Sequence, residues 1–233
     1  MIPKTIHYCW FGGNPKSAKE IKCIDSWKKY CPDYKIIEWN EKNFNVYQNE
    51  YTTYCYDNKK WAFLSDYVRL LVIYNEGGIY FDTDVELLKN LDEFLTYDAF
   101  FGFEDDENIN TGQGFGATQG NELVQEMINQ YNKLKYNEHG QMPITKCPQL
   151  NTAGILPFGL KLDGSKQMIG NNIILPKDYM NPYDDSIGKL FKTKNTISIH
   201  WYSKTWMDKR IVLKSKLTKP LHRLQQFLGL RKF

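Results

Sequence analysis

The chain has 233 residues, of which 42% are hydrophobic and 24% charged, with a net charge of +3. That length fits one large domain, or one domain with a small appendage, and the composition excludes a disordered or fibrous chain. Eight basic residues (Lys209, Arg210, Lys214, Lys216, Lys219, Arg223, Arg231 and Lys232) fall in 209–233, where there is no acid. Subtracting them from the 30 Lys and Arg leaves 22 against 27 acids, a net of −5 for residues 1–208.

An acidic body with no recognition motif speaks against nucleic acid as a partner. The N-terminus, MIPKTIHYCWFGG, lacks the basic and then apolar regions of a signal peptide, and no stretch approaches the ~20 apolar residues of a membrane span. Cys9, Cys23, Cys31, Cys55 and Cys147 are odd in number and show no C-x-x-C spacing. They read as reduced thiols of a cytoplasmic protein.

In chain order, KTIHYCW (4–10) reads as a buried strand ending at Gly12-Gly13. SAKEIKCIDSWKKY (17–30) carries a helical apolar stripe at 21, 24 and 27, and YKIIEW (34–39) is a second strand. NKKWAFLSDYVRLLVIYNE (58–76) predicts a long amphipathic helix, with Asn58 as N-cap and Gly77-Gly78 as a left-handed stop. GIYFDTD (78–84) is predicted as the third strand and YDAFFGFE (97–104) as the fourth. QGFGAT (113–118) is a short strand or turn, and 121–135 is another helix. Residues 137–195 read as irregular around a strand at NIILP (172–176), and NTISIHW (195–201) is the last strand. Strands alternating with helices imply a mostly parallel central sheet covered on both faces. Trp10, Asp82, Asp84 and His200 all fall at or just past strand ends, the rim where open α/β sheets bind ligands.

Asp-x-Asp alone means little, because chance supplies such a triplet in a chain this size. Its place after GGIYF makes it informative. In a strand, Asp82 and Asp84 would point to one side, and two ionised carboxylates cannot sit in a dry core. They need water or a cation. Hard oxygens suit Mg²⁺ or Mn²⁺, and an imidazole from His200 would favour Mn²⁺. In the preceding helix, Asp66 and Arg69 lie three apart on a face flanked by apolar residues, so each needs a partner. His7 reads as a satisfied core residue, and His139 and His222 as surface. Glu104, Asp105 and Asp106 read as an acidic loop that could serve an acceptor. Gln113 offers an amide near a sugar or part of a plain turn.

Together, IHYCWFGG, FLSDYVRLLVIYNEGGIYFDTDVELL and SIHWYSKTW resemble the DXD-motif glycosyltransferases of the capsular-polysaccharide and yeast initiating-mannosyltransferase type. The pattern is also similar to the catalytic domain of the large clostridial glucosylating toxins. The resemblance implies a GT-A type nucleotide-sugar-binding domain over 1–208, followed by a basic helical appendage at 209–233. It implies that Trp10 stacks on the nucleotide base, that Asp66 and Arg69 grip the donor sugar, and that Tyr80 lines the donor pocket. Asp82, Asp84 and His200 would hold the metal, and Ser203 and Trp206 would close over the diphosphate. The toxin branch implies a UDP-sugar and the yeast branch a guanosine donor. The implied reaction is metal-dependent transfer of a hexose or N-acetylhexosamine, with retention, to a saccharide acceptor in bacterial surface-polysaccharide synthesis. A toxin-like protein glycosyltransferase and a non-catalytic nucleotide-sugar-binding protein are the alternatives.

In the tail, Leu213, Leu217, Leu221, Leu224 and Leu228 form a helical stripe interrupted at Pro220. A basic amphipathic segment predicts either peripheral contact with an anionic membrane, suited to a lipid-linked acceptor, or packing against the domain.

Overall fold

A computed structural model describes residues 1–143 and 145–204, together with Arg210, Leu213, 218–220 and 222–225. The first half runs β1 (Thr5–Cys9), α1 (Ala18–Tyr30), β2 (Lys35–Trp39), α2 (Glu50–Asp57), α3 (Trp61–Glu76), β3 (Gly78–Tyr80) and β4 (Val85–Leu87). Then follow β5 (Ala99–Gly102), β6 (Phe115–Ala117), α4 (Glu122–Asn132), α5 (Cys147–Ile155), β7 (Gln167–Ile169) and β8 (Asn172–Leu175). The described body ends with α6 (Lys177–Met180), β9 (Tyr183–Asp184), β10 (Lys189–Leu190) and β11 (Ser198–His200).

Local chemistry explains most helix starts. Ser17 and Glu20 form a reciprocal capping box on α1, and Asn49 and Asn121 cap α2 and α4. The helix expected from residue 58 begins instead at Trp61. Asn58 closes α2, a helix not expected from the sequence, donating from its side chain to the Tyr54 carbonyl. Residues 137–195 are less irregular than expected, because α5 starts inside them with a proline in its first turn. Gly77 has a positive φ of 66°, but its ψ of −173° is extended, so α3 does not end in a left-handed helical cap. A Cβ at Gly78 would lie 2.8 Å from the Thr5 carbonyl oxygen, which is why β3 can sit flush against β1 only with glycine there.

The seven-stranded sheet has the order β2-β1-β3-β6-β5-β8-β7. Five strands run one way and only β6 and β7 run against them. Successive residues feed opposite faces: Ile79 and Phe81 pack with α1, and Tyr80 packs with α3 and α4. Strands buried on both faces therefore read as unbroken apolar runs. All five cysteines are free and buried. No described helix is long and apolar enough to cross a membrane.

The strand expected over 78–84 is shorter than predicted. It leaves the main sheet after Tyr80, turns, and resumes as β4, which pairs antiparallel with β11 in a separate two-stranded sheet. α1 pins β4 from the other side: Trp27 Nε1 donates to the Val85 carbonyl at 2.7 Å, and the Leu87 amide donates to Ser26 Oγ at 2.8 Å.

Of the tail, 218–220 and 222–225 are helical. Lys219 pairs with Asp185 at 3.1 Å, and Arg223 Nε donates to the Ile187 carbonyl at 2.6 Å. These two basic residues dock the segment onto the 183–190 hairpin. The rest of the predicted stripe other than Leu213 and Leu224 lies outside the described residues.

His7 is the satisfied core histidine that its strand position suggested. Trp39 Nε1 donates to its Nδ1 at 3.0 Å, so Nε2 carries the proton and donates to the Gly77 carbonyl at 3.1 Å. Burial lowers its pKa from 6.5 to about 4. Below pH 6.5 the unfolded chain takes up a proton that the folded chain refuses, so stability falls as pH drops from 6.5 towards 4. The loss should reach roughly 3 kcal/mol. Thermal melts across that range should show it, and His7→Gln should flatten the dependence; an equal slope in the variant would assign the loss to other groups.

Candidate active site

The site is assembled from α3, the β3–β4 turn, the 110–112 loop and the end of β11. Asp66 and Arg69 share one face of α3, as three-residue spacing requires. Arg69 is 2% exposed and is held from four sides. Its Nε donates to the Ser65 carbonyl at 3.1 Å, and its Nη2 bonds Asp66 Oδ1 and lies 3.4 Å from Asp82 Oδ1. The guanidinium carbon stands 5.0 Å from the Tyr80 ring centroid, within cation–π range. Burial raises the Asp66 carboxyl to about 6 despite the opposing pull of Arg69. Burial also raises Asp82, with the Asp84 charge adding to it and Arg69 opposing.

Asp82 and Asp84 do not converge by strand alternation. They lie in a turn in which the Val85 amide donates to the Asp82 carbonyl at 3.0 Å, with aspartate at the position that type I turns favour. The Asp82 amide donates to the Gly112 carbonyl at 3.1 Å, which ties the turn to the 110–112 loop. Tyr80 OH donates to Asp82 Oδ1 at 3.0 Å. A side chain on Gly112 would place its Cβ 2.7 Å from Arg69 Nη1 and would also meet Asp82, so the loop approaches the charge pair as closely as a backbone can.

Asp84 is enclosed by the chain that follows β11. Pairing of His200 with Val85 brings the imidazole alongside, with Nε2 at 3.3 Å from Asp84 Oδ1. The Ser203 amide donates to Asp84 Oδ2 at 2.5 Å, and the Trp201 amide donates to the Asp84 carbonyl at 3.1 Å. Burial would raise the Asp84 carboxyl, but His200 and the Ser203 amide outweigh it and hold it well below the usual carboxylate range. His200 is correspondingly raised: burial lowers it, and the Asp84 charge and hydrogen bond more than offset that.

One ligand atom from each of Asp82, Asp84 and His200 falls within 4.8 Å of the others. Among the described residues, His200 Nδ1 and Ser203 Oγ are buried with no hydrogen-bond partner. Two hard carboxylates and an imidazole, with unpartnered polar atoms beside them, fit a divalent cation of the Mn²⁺ or Mg²⁺ kind.

Other expected residues are placed with less company. Trp10 follows β1 at the rim, with Nε1 donating to the Asn14 carbonyl at 2.6 Å and Lys16 Nζ 5.1 Å from its ring. Trp206 lies outside the described residues. Gln113 is fully buried, and its Nε2 donates to the Phe103 carbonyl at 3.1 Å. Sequence reasoning missed Asn110, whose Oδ1 accepts from the Gly112 amide at 2.7 Å, and it missed Gly112 itself. The Gly-rich run around Gln113 was the available signal. It also missed Tyr202, whose ring stands 4.1 Å from that of His200.

The family model described as the glycosyltransferase sugar-binding region containing DXD motif matches residues 17–101. The chain is 26% identical over 149 residues to inositol phosphoceramide mannosyltransferase 3 of Schizosaccharomyces pombe, covering 59% of this chain and 39% of that one. It is 32% identical over 107 residues to uncharacterized glycosyltransferase L373 of Acanthamoeba polyphaga mimivirus, 43% of each chain. The chain thus spans about two-fifths of the length of these curated relatives. The solved PaToxG glycosyltransferase aligns with a TM-score of 0.54 at 22% identity, over 67% of this chain and 68% of that one, a likeness of fold. The family match runs from the α1 cap into β5 and contains Asp66, Arg69, Tyr80, Asp82 and Asp84. Residues 17–101 are thus similar to the sugar-binding region of the DXD-motif glycosyltransferases.

Proposed function

We propose that this chain transfers a hexose from a nucleoside diphosphate sugar, a UDP-sugar first among the donors, to a saccharide acceptor of a surface polysaccharide, with retention of anomeric configuration. The observation that carries the reading is the Asp82–Asp84–His200 group set beside the Arg69–Asp66 pair, because it joins a cation site to buried groups that can hold a sugar. A divalent cation bound by Asp82, Asp84 and His200 would supply the charge that balances the departing diphosphate. Arg69 fixes Asp66 and Asp82 in place, and its remaining guanidinium face is a donor for sugar or phosphate oxygens. Asp66, held by Arg69, can accept a sugar hydroxyl's hydrogen bond. Tyr80 keeps Asp82 oriented through its hydroxyl, and the Ser203 hydroxyl lies beside Asp84 as a donor for a phosphate oxygen. Trp10, at the same rim, offers a ring for the base.

The Schizosaccharomyces pombe relative is a mannosyltransferase by name, which makes a mannosyl donor one arm of the test. For the acceptor, the lipid-linked form of the proposal places the basic tail at an anionic membrane, with the exposed Leu213 and Leu224 as its apolar contacts.

Purified protein incubated with each common nucleotide sugar and Mn²⁺ should release diphosphate slowly from one donor. EDTA should abolish release and Asp84→Asn should lower it on the order of 10²-fold; turnover indifferent to both would sink the metal-dependent reading. The configuration of the first-formed product, read by NMR, checks retention. Gly112→Ala should fold normally yet lose on the order of 10²-fold in kcat/KM, because the methyl must displace Arg69 or Asp82. Wild-type rates there would mean that the pair's position is unimportant. Deleting 209–233 should abolish binding to vesicles rich in anionic lipid; undiminished binding would refute a membrane role for the tail.

A further inference from the structure

We propose that Tyr202 is a positioning residue that fixes the His200 imidazole in its cation-binding orientation by stacking beneath it while its own hydroxyl is anchored to the main sheet. Pairing of His200 with Val85 fixes only the backbone of residue 200. The ring must still be set about two side-chain torsions. Metal-binding histidines are usually oriented by a hydrogen bond from the second ring nitrogen. Here His200 Nδ1 is buried without such a partner among the described residues, and Nε2 faces Asp84 Oδ1 at 3.3 Å. What the ring does have is the Tyr202 face, 4.1 Å away between centroids and tilted by 33°.

The chain goes to some trouble to put that face there. Tyr202 has a φ of +48°, a left-handed conformation that non-glycine residues seldom adopt. A backbone outlier held in place by its surroundings is a reason to look for a function at that residue. The reversal brings a ring two residues after His200 back under it. The hydroxyl of Tyr202 then lies 3.0 Å from Glu104 Oε1 and 2.9 Å from Asn181 Oδ1. Asn181 Nδ2 donates to the Glu104 carbonyl at 2.9 Å, so the two acceptors are themselves joined. Glu104 follows β5 and Asn181 follows α6, so the tyrosine bridges the small β4–β11 sheet to the seven-stranded one.

The proposal rests on His200 being a cation ligand, as proposed above. The experiment is titration of the metal-free full chain with Mn²⁺, reading free Mn²⁺ by EPR, for wild type, His200→Ala, Tyr202→Phe, Tyr202→Leu and the Tyr202→Leu/His200→Ala double variant. Tyr202→Leu should weaken Mn²⁺ binding about 10–100-fold, the range for loss of groups that orient a ligand. Tyr202→Phe keeps the ring and loses the anchor, so it should fall between wild type and Tyr202→Leu. In the double variant, Tyr202→Leu should add nothing to the loss from His200→Ala. Circular dichroism and melting confirm that each variant is folded, and Tyr202→Phe carries the test if Tyr202→Leu is not. Unchanged affinity in the tyrosine variants beside a weakened His200→Ala, or additive losses in the double, would overturn the positioning role alone. Unchanged affinity in His200→Ala would overturn the ligand assignment and the positioning role with it.

Discussion

Three carboxylates, Asp66, Asp82 and Asp84, are gathered in a space largely closed to water, and the surrounding structure is arranged to keep them from driving one another apart. Like charges in low dielectric repel strongly, and burial alone pushes Asp66 and Asp82 towards protonation. Two side chains divide the work. Arg69 stands between Asp66 and Asp82, and His200 stands against Asp84. Each is carried by an element whose other face is core: Leu64, Val68 and Ile73 bury α3, and Ile199 buries β11. A helix or strand anchored that firmly cannot drift to relieve the repulsion, so the charge stays where the backbone puts it.

The same constraint explains the two sheets. A single strand through 78–84 would carry Asp82 and Asp84 onward in register with β1. Breaking it after Tyr80 frees the turn to fold both carboxylates towards β11, and α1 recovers the lost anchorage through Trp27 and Ser26. The 110–112 loop closes the remaining side, with a glycine where any side chain would strike the arginine.

Much of this was legible in the sequence because it is local. Asp66 and Arg69 share a helix face by spacing, and the two glycines before Ile79 announce that a helix ends and a tight strand begins. The inference that Asp82 and Asp84 lie together was right for a wrong reason: they sit in a turn, and no alternation pattern distinguishes a strand's last residues from a turn rich in aspartate and threonine. Asn58 was read as starting a helix that it does not join, since asparagine caps serve either end of a loop. α5 was hidden among asparagine, proline and glycine, although Pro148 in its first turn and Gly154 against Met127 of α4 are what helix starts and close helix packing require. Tyr202 could not have been singled out, because its partners lie at Glu104 and Asn181 and its backbone conformation is not encoded by its residue type.

Pairing of β11 with β4 joins residues 115 positions apart at Val85 and His200. Contacts of that separation form late, after loop closure has been overcome by the rest of the fold. The sheet core, α3 and the Arg69 cluster can be in place while His200 is still elsewhere. During synthesis, the same geometry lets His200 meet Asp84 only once residues 1–200 have all emerged.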